Sequence, residues 1–310
     1  MDDGLKLGRT RKKSRFANVD KSLYLMLIPG AAILLIYNYA PLFGLQIAFK
    51  DFSIGRGILA SKWVGLENFK FILHYPNFDR VVMNTVMISL LKLSFRFVTP
   101  IIIALLLNEV ANIRFKRITQ TFVYLPHFIS WVVVAGILTA ILDPSDGIIN
   151  TIVKSLGGKS IYFLGSAKYF RSVLVLSDIW KEFGYGTIIY MAALTGIDPS
   201  LYEAATIDRA NRWQRIRYIT LPGIVPIMVL ISTLSIGGLM SAGFDQIFNL
   251  YNPLVYDVGD VLDTFTYRLG IVNTQYDMAT AVGMMTQLVS ASLVGISYYI
   301  AYKYADYRIF

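Results

Sequence analysis

Long apolar runs dominate the pattern of hydrophobic and polar positions along the chain. A helix that crosses the hydrocarbon core of a bilayer needs ~20 predominantly apolar residues. Four runs of at least that length contain no Asp, Glu, Lys or Arg, namely residues 22–49, 118–142, 219–244 and 278–302. Each of these runs therefore predicts a continuous membrane-spanning helix.

Two further runs, residues 81–107 and 172–197, are apolar but carry a few charges. Those charges are Lys92, Arg96, Asp178, Lys181 and Glu182. Charged side chains inside a membrane usually face a cavity or a partner helix rather than lipid, so both runs still predict spans. With the four uncharged runs, they indicate an all-α polytopic membrane protein with six transmembrane helices.

The composition agrees with a membrane protein and excludes several other classes. Hydrophobic residues form 55% of the 310 positions and charged residues only 16%, whereas a soluble domain is about a quarter charged. The absence of Cys excludes disulfide scaffolds, Cys-ligated zinc and iron–sulfur clusters. Two His residues leave little material for a His-based metal site. The net charge of +9 comes from basic residues at the ends of apolar runs, which indicates a membrane rather than nucleic acid.

Orientation follows from the distribution of Lys and Arg between the loops. If the N-terminus is cytoplasmic, the inside segments hold sixteen Lys and Arg residues and the longer outside segments hold nine. The positive-inside rule therefore predicts that both termini lie in the cytoplasm. Residues 1–21 form a basic N-terminal segment, which either anchors on anionic lipid or binds a partner. Residues 22–310 form the membrane domain.

The loop between the fourth and fifth spans, about residues 196–222, is more than a connector. Asp198 and Pro199 are typical of a helix N-cap and first helical position. A second helix is predicted over residues 211–218, so the loop predicts a short helix, a bend and another helix. One interpretation is an interfacial helix whose Arg residues meet lipid phosphates. The other is a projection that docks into a cytoplasmic partner.

The sequence of this loop resembles the EAA loop of permease subunits in bacterial ATP-binding-cassette importers. The family pattern is Glu-Ala-Ala, three residues, Gly, nine residues, Ile, any residue and Leu-Pro. The matching residues are Glu203, Ala204, Ala205, Ile219, Leu221 and Pro222, with Asp208 and Ala210 agreeing with a common variant. Arg209 stands where the family has Gly, which leaves two possibilities: ordinary dihedral angles at the bend, or strain at Arg209.

Other segments are similar to the sugar-transporting branch of the same family. The fourth span contains residues 180–184 and 190–194, which are similar to that span of sugar permeases. Residues 243–246, 250–253 and 263–268 resemble the branch that handles oligosaccharides and polysaccharides. The resemblance covers nearly the whole chain beyond the basic N-terminal segment.

The resemblance implies a type I importer fold and a bacterial cytoplasmic membrane protein. It implies coupling to an ATPase subunit through Glu203, Ala204, Ala205, Asp208, Arg209, Leu221 and Pro222. The implied partners are a second permease subunit, two ATP-binding-cassette subunits that bind the ATP, and an extracellular solute-binding protein. No cofactor is expected on this chain, since Gly157–Ser160 lacks the first Gly of a phosphate-binding loop and falls outside the cytoplasm.

Charged and aromatic residues inside the predicted spans are candidates for the wall of the substrate pathway. They are Lys92, Arg96, Asp178, Trp180, Lys181, Glu182 and Tyr185. The alternative is a structural role: Asp178 shares a helix face with Lys181 or Glu182, which permits an internal ion pair, and pairing between helices or snorkelling is expected for Lys92 and Arg96. His127 is expected to be a hydrogen-bonding group of the helix bundle. The excess of basic groups favours an acidic sugar over a neutral one.

Two other classes of function stay open from the residues alone. A membrane-embedded glycosyl or lipid transferase would need converging acids or a metal site at the interface. A receptor or scaffold would need neither ATPase subunits nor a second permease. Co-purification with a chain that carries a phosphate-binding loop distinguishes an importer from both.

Overall fold

The computed structural model describes residues 21–305, so all but the last residue of the predicted basic segment 1–21 lies outside the described residues. Within 21–305 the α-helices α1 to α15 are Lys21–Leu34, Gly57–Ala60, Glu67–Leu73, Phe78–Asn108, Ile113–Tyr124, Trp131–Ile141, Ile148–Ser155, Ala167–Thr195, Pro199–Ile207, Arg212–Arg215, Leu221–Ile236, Phe244–Leu250, Tyr256–Gly259, Leu262–Tyr267 and Tyr276–Ala305.

Shorter elements extend or join these helices. The π-helical segments are Leu35–Tyr39, Ile216–Thr220 and Arg268–Val272. The 3₁₀ segments are Ala40–Phe49, Leu125–Phe128, Gly237–Met240 and Pro253–Val255. Two short strands, β1 (Lys50–Asp51) and β2 (Lys62–Trp63), pair antiparallel after the first long helix.

Four continuous helical segments of the described chain are long and apolar enough to cross a membrane. They are Tyr24–Phe49, Phe78–Asn108, Arg212–Met240 and Tyr276–Lys303. They coincide with the predicted first, second, fifth and sixth spans, and these four predictions are confirmed. The apolar side chains of the first segment are largely exposed, as expected for a helix that faces lipid or another subunit.

The prediction of one continuous span over residues 118–142 is wrong. Two helical segments, Ile113–Phe128 and Trp131–Ile141, meet there at a bend of 98°. Pro126 has no backbone N–H to donate and lies in the 3₁₀ turn before the bend. Ser130 then adopts an extended conformation, and its hydroxyl accepts a hydrogen bond from the backbone N–H of Val133, which starts α6.

The predicted fourth span, residues 172–197, lies in α8 except for its last two residues; this helix has 29 residues and is ~44 Å long. This helix is long enough to cross, but its charged residues keep it out of the set of apolar segments. The described residues therefore contain four candidate spans, or five if the bent pair is counted as one. The predicted total of six is not confirmed.

Helix α8 packs closely against its neighbours because two of its residues are glycines. A Cβ atom on Gly184 would lie 1.9 Å from the backbone oxygen of Val123 in α5. A Cβ atom on Gly186 would lie 2.9 Å from Cγ of Pro100 in α4. Helix α8 therefore packs against α4 and α5 at a distance that only glycine permits.

We predict that Gly184→Ala destabilises the folded chain by ~1–3 kcal/mol, because the added methyl group forces α5 away from α8. The measurement is thermal unfolding of the detergent-purified protein. Gly136→Ala in α6 is the matched control, since no atom lies within 4 Å of its Cβ position and alanine favours a helix by ~1 kcal/mol. Equal stabilities of Gly184→Ala and the wild type would contradict the close approach.

Candidate coupling loop and transport pathway

The loop between α8 and α11 begins with the predicted helix start. The carboxylate of Asp198 accepts a hydrogen bond of 2.9 Å from the backbone N–H of Ser200, and Pro199 is the first residue of α9. This backbone hydrogen bond lowers the pKa of Asp198 below its ordinary value. The cap therefore stays charged at neutral pH and holds the first turn of α9.

The bend after α9 resolves the question raised by Arg209. Arg209 has φ of 57°, which is the left-handed conformation that glycine usually supplies. The N–H of Ala210 donates to the oxygen of Ala205 at 2.8 Å, and the N–H of Arg209 donates to the oxygen of Thr206 at 3.1 Å. These two bonds form a Schellman motif. Arg209 thus takes the conformation of the family's glycine and accepts a strain of roughly 1–2 kcal/mol.

The second half of the loop is fixed to the fifth span. Asn211 and Gln214 form a reciprocal capping box at the start of α10, with distances of 2.8 and 2.9 Å. A π-helical segment then leads directly into α11. The hydroxyls of Tyr202 in α9 and Thr220 before α11 are 3.0 Å apart. The helix–bend–helix loop is therefore tied at both of its ends to the start of α11.

The outer face of this loop is exposed. Glu203, Ala204, Asp208, Arg209 and Pro222 are exposed, whereas Ala205 and Leu221 are half-buried. Within residues 21–305, the side chain of Glu203 makes no hydrogen bond or ion pair. The apolar side chains beside it are also uncovered, with exposed fractions of 50% for Leu201, 82% for Ile207 and 67% for Trp213. A solvated connector rarely presents such a mixture of apolar groups and a free acid.

A buried carboxylate joins the middle of α8 to the middle of α4. Asp178 is 1% exposed and accepts two hydrogen bonds of 2.6 Å from Arg96, one from Nε and one from Nη2. The ammonium group of Lys92 lies 3.7 Å from the same carboxylate. Pairing between helices was one of the alternatives for Lys92 and Arg96, and the structure shows it. Each charge in the membrane thereby has an opposite partner.

Lys92 extends this cluster to α12. Its Nζ donates to the backbone oxygen of Ala242 at 2.6 Å and to the side-chain oxygen of Gln246. The amide nitrogen of Gln246 donates at 2.8 Å to the hydroxyl of Ser177 and at 2.8 Å to the oxygen of Leu174 in α8. Sequence reasoning missed Gln246 as part of the site. Its signal was the resemblance of residues 243–246 to the oligosaccharide branch, which gave Gln246 no role.

A second polar cluster lies one turn further along α8, beside the bend between α5 and α6. Lys181 donates to the backbone oxygen of His127 at 2.6 Å, and Nδ1 of His127 lies 2.9 Å from Glu182. Lys181 and Glu182 are 3.4 Å apart, and the His127 ring stacks on Tyr185 at 4.1 Å. His127 is thus a hydrogen-bonding group of the bundle, as expected.

The predicted internal ion pair of Asp178 with Lys181, its neighbour of opposite charge on the same helix face, is wrong. Arg96 of α4 pairs with the Asp178 carboxylate. Lys181 donates instead to the backbone oxygen of His127 at the bend. Trp180 lies about 200° around the helix from Asp178 and is 46% exposed. The structure therefore brings Asp178, Lys92 and Arg96 together but places Trp180 on the opposite side of α8.

A cavity of about 390 Å³ opens beside the Asp178 cluster, between α4 and α11. Its lining includes Lys92 and Arg96 from α4, and Ser235 and Gly238 from the end of the fifth span. Of the described residues that line it, two are cations and none is a carboxylate. Asp178 lies behind Arg96, so the cavity presents positive charge and hydrogen-bond donors.

Helices α4 and α8 separate the coupling loop from the other end of the molecule. Arg212 of the loop lies 3.9 Å from Glu109, which follows the C-terminal end of α4. At the opposite end, Arg171 of α8 donates to Asn84 of α4 at 2.7 Å. The cavity, beside the midpoints of both helices, lies between these two ends.

No group of three or more potential metal-ligating side chains occurs within residues 21–305.

We predict that Asp178→Asn lowers the free energy of unfolding by ~3 kcal/mol, because it leaves Arg96 and Lys92 without their shared anion. The measurement is thermal unfolding in detergent, with the exposed Asp146→Asn as the control for loss of one acid. Adding Lys92→Met should recover part of the loss, since the cluster then holds one buried cation fewer. A double variant no more stable than Asp178→Asn would contradict the proposed coupling of the two charges.

The chain is similar to two proteins of Bacillus subtilis over almost its full length. It is 43% identical to the protein LplB of Bacillus subtilis, covering 94% of this chain and 92% of that one. It is 39% identical to the polygalacturonan/rhamnogalacturonan transport system permease protein YteP of Bacillus subtilis, covering 94% and 90% of the two chains.

A solved structure described as a bacterial ABC transporter involved in the import of the acidic polysaccharide alginate contains a similar chain. That chain is 39% identical, with a TM-score of 0.86 over 92% of this chain and 96% of that one. Residues 96–310 also match the family described as binding-protein-dependent transport system inner membrane component. This chain, with its exposed EAA loop and charged mid-membrane cavity, therefore belongs to the multi-pass permease subunits of binding-protein-dependent ABC importers.

Proposed function

We propose that this subunit forms one half of the import pathway for an acidic oligosaccharide and is driven by ATPase subunits that dock on residues 196–222. The observation that carries the coupling role is the exposed face of α9. It presents Glu203, which has no partner in the described part of the chain, beside uncovered apolar side chains. Ala204 is exposed as well, and its small side chain permits close approach of another protein.

The cationic cavity supports an acidic substrate. Two cations and several hydrogen-bond donors line it without a carboxylate, so an anionic sugar gains electrostatic stabilisation there. Two similar proteins are described as transporting acidic polysaccharides, namely polygalacturonan/rhamnogalacturonan and alginate. The substrate pathway in this chain accordingly centres on Lys92 and Arg96, with Asp178 holding both cations in place.

The proposed assembly gives this chain four kinds of partner. A second permease subunit completes the pathway, two ATP-binding-cassette subunits bind the ATP, and membrane lipid surrounds the helices. An extracellular binding protein delivers the sugar, by analogy with the alginate transporter, whose solved complex includes an alginate pentasaccharide-bound periplasmic protein. The chain itself carries no cofactor and no catalytic residue in this proposal. Both of its termini lie in the cytoplasm, as the distribution of Lys and Arg predicts.

Transport in this proposal depends on two conformations of the assembled complex. ATP binding closes the ATPase subunits, displaces α9 and opens the cavity outward, and hydrolysis returns the inward-facing state. The sugar shifts this equilibrium only as far as its affinities for the two states differ. The alternative of a membrane-embedded glycosyl or lipid transferase gains no support from the comparisons, because the similar proteins described above are transport proteins.

We predict that Glu203→Lys leaves the chain in the membrane but abolishes sugar-stimulated ATP hydrolysis by the reconstituted complex. A positive charge replaces the free acid on the docking face, so the ATPase subunit meets an unpaired cation. Glu67→Lys, an exposed charge reversal outside the loop, is the matched control. Normal stimulated hydrolysis by a stably assembled Glu203→Lys complex would count against coupling through α9.

We predict that Ser235→Asp reduces uptake of uronate oligosaccharides at least tenfold, because it adds a carboxylate to the cavity wall, and ~1.4 kcal/mol of repulsion suffices for that factor. Uptake of a neutral oligosaccharide of the same length should change much less. Ser235→Asn has nearly the same shape without the charge and serves as the control. The measurement is uptake of both labelled sugars by reconstituted vesicles. An equal loss for both sugars would contradict selection by charge.

A further inference from the structure

A second cleft lies at the end of α4 and α8 that is remote from the coupling loop. It is separate from both the loop and the cationic cavity. Its volume is about 340 Å³. We call it the outer cleft, and its principal lining residues are Tyr75, Arg80, Asn84, Tyr256, Asp260 and Arg268. Three helices, α4, α13 and α14, supply most of this lining, so the cleft belongs to the body of the fold rather than to a loose loop.

The floor of the outer cleft is rigidly built around Asn84. This side chain is 1% exposed, and its amide nitrogen donates to the backbone oxygens of Asp257 at 3.2 Å and Asp260 at 3.0 Å. Its amide oxygen accepts a bond of 2.7 Å from Arg171, whose Nε also donates to Val258. Helix α13 is therefore fixed to α4 and α8, and the cleft has a preorganised shape.

The walls of the outer cleft combine flat rings with paired charges. Arg268 forms a two-point ion pair with Asp260 and lies 5.5 Å from the ring centre of Tyr256 and 5.7 Å from that of Phe265. Arg80 pairs with Asp257 at the rim, where both side chains are largely exposed. Vicinal sugar hydroxyls bond to such planar carboxylates and guanidinium groups, and the C–H faces of a sugar ring pack on aromatic rings.

Aromatic rings continue from the outer cleft towards α12. We call three of them the ring ladder, namely Tyr256, Tyr251 and Phe248, whose successive ring centres are 5.0 and 6.2 Å apart. Beyond it, Phe248, Tyr267 and Phe244 form a closed cluster with ring centres 4.9, 5.2 and 5.0 Å apart.

The two ends of the ring ladder do not suit a role in packing alone. Phe248 is 38% exposed and Tyr256 is 37% exposed, whereas core aromatics of this chain, such as Phe170 and Tyr190, are at most 2% exposed. Tyr251, between them, is half-buried. An oligosaccharide that starts in the outer cleft therefore meets exposed rings, and eight residues of α4, or ~12 Å, separate Asn84 of this cleft from Lys92 of the cationic cavity.

We propose that the outer cleft and the ring ladder form a second saccharide subsite, which holds one part of an oligosaccharide while another part occupies the cationic cavity. The inference rests on the proposed function, since it assigns a further part of the same substrate to this chain. Its consequence is a dependence on chain length. Only a sugar long enough to reach both sites gains binding energy from the outer one.

The test compares long and short substrates on the complete reconstituted transporter, with its partner subunits and binding protein. The probes are a labelled uronate hexasaccharide and the corresponding disaccharide. Tyr256→Ala should raise KM for the hexasaccharide about tenfold, equivalent to ~1.4 kcal/mol, and leave KM for the disaccharide unchanged. Tyr256→Phe keeps the ring and should restore the wild-type value. Leu254→Ala, an exposed residue of the same segment, is the matched control.

The outcomes separate this inference from the proposed function. If the wild type imports both sugars and Tyr256→Ala has the wild-type KM for the hexasaccharide, the subsite is wrong while the importer stands. If KM rises equally for both lengths, the rings contact the binding protein or the second permease instead of the sugar. If the wild type imports neither sugar, the proposed function fails and the subsite with it. Arg80→Gln, altered at the exposed rim, provides a second variant should Tyr256→Ala fail to assemble, with the same expected dependence on length.

Discussion

The buried carboxylate of Asp178 is the constraint on which the centre of this fold depends. A charge inside a membrane is costly unless it is paired and hydrogen-bonded, and Asp178 meets that condition only through Arg96 and Lys92 of the neighbouring helix. Lys92 in turn needs Ala242 and Gln246, so the requirement fixes α4, α8 and α12 relative to one another. The same two cations also line the cavity, so the positive charge of the cavity follows from the pairing that holds these helices together.

The length of the central helices determines how the parts of the subunit relate to each other. The coupling loop follows the C-terminal end of α8, the outer cleft lies at its N-terminal end, and the charged cavity lies between them. Glycine at positions 184 and 186 lets α5 and α4 approach α8 closely at these two points. Events at one end reach the other only through displacement of whole helices, because no flexible linker interrupts α4 or α8.

Hydropathy and capping signals predicted much of the fold, and each has a clear physical reason. Three of the confirmed spans follow from uncharged length alone, the second from an apolar run that carries Lys92 and Arg96, and the first short helix of the loop from the cap at Asp198. The bend near Pro126 was not predicted, because the hydropathy of an apolar run measures the free energy of transfer into a membrane and does not indicate the direction of the helix axis. The partner of Asp178 was not predicted either, since helical periodicity identifies neighbours within one helix only. Likewise, the left-handed Arg209 departs from the residue type that the bend prefers, so only coordinates reveal its conformation.

The bond between Tyr202 and Thr220 has a mechanical consequence. It joins the first short helix of the loop to the start of a helical rod that runs from Leu221 to Ile236 and on to Met240. The upper part of that rod, at Ser235 and Gly238, is a wall of the charged cavity. The loop and the cavity wall thus belong to one continuous helical segment, so a displacement of the loop is transmitted along this segment to the wall of the charged cavity.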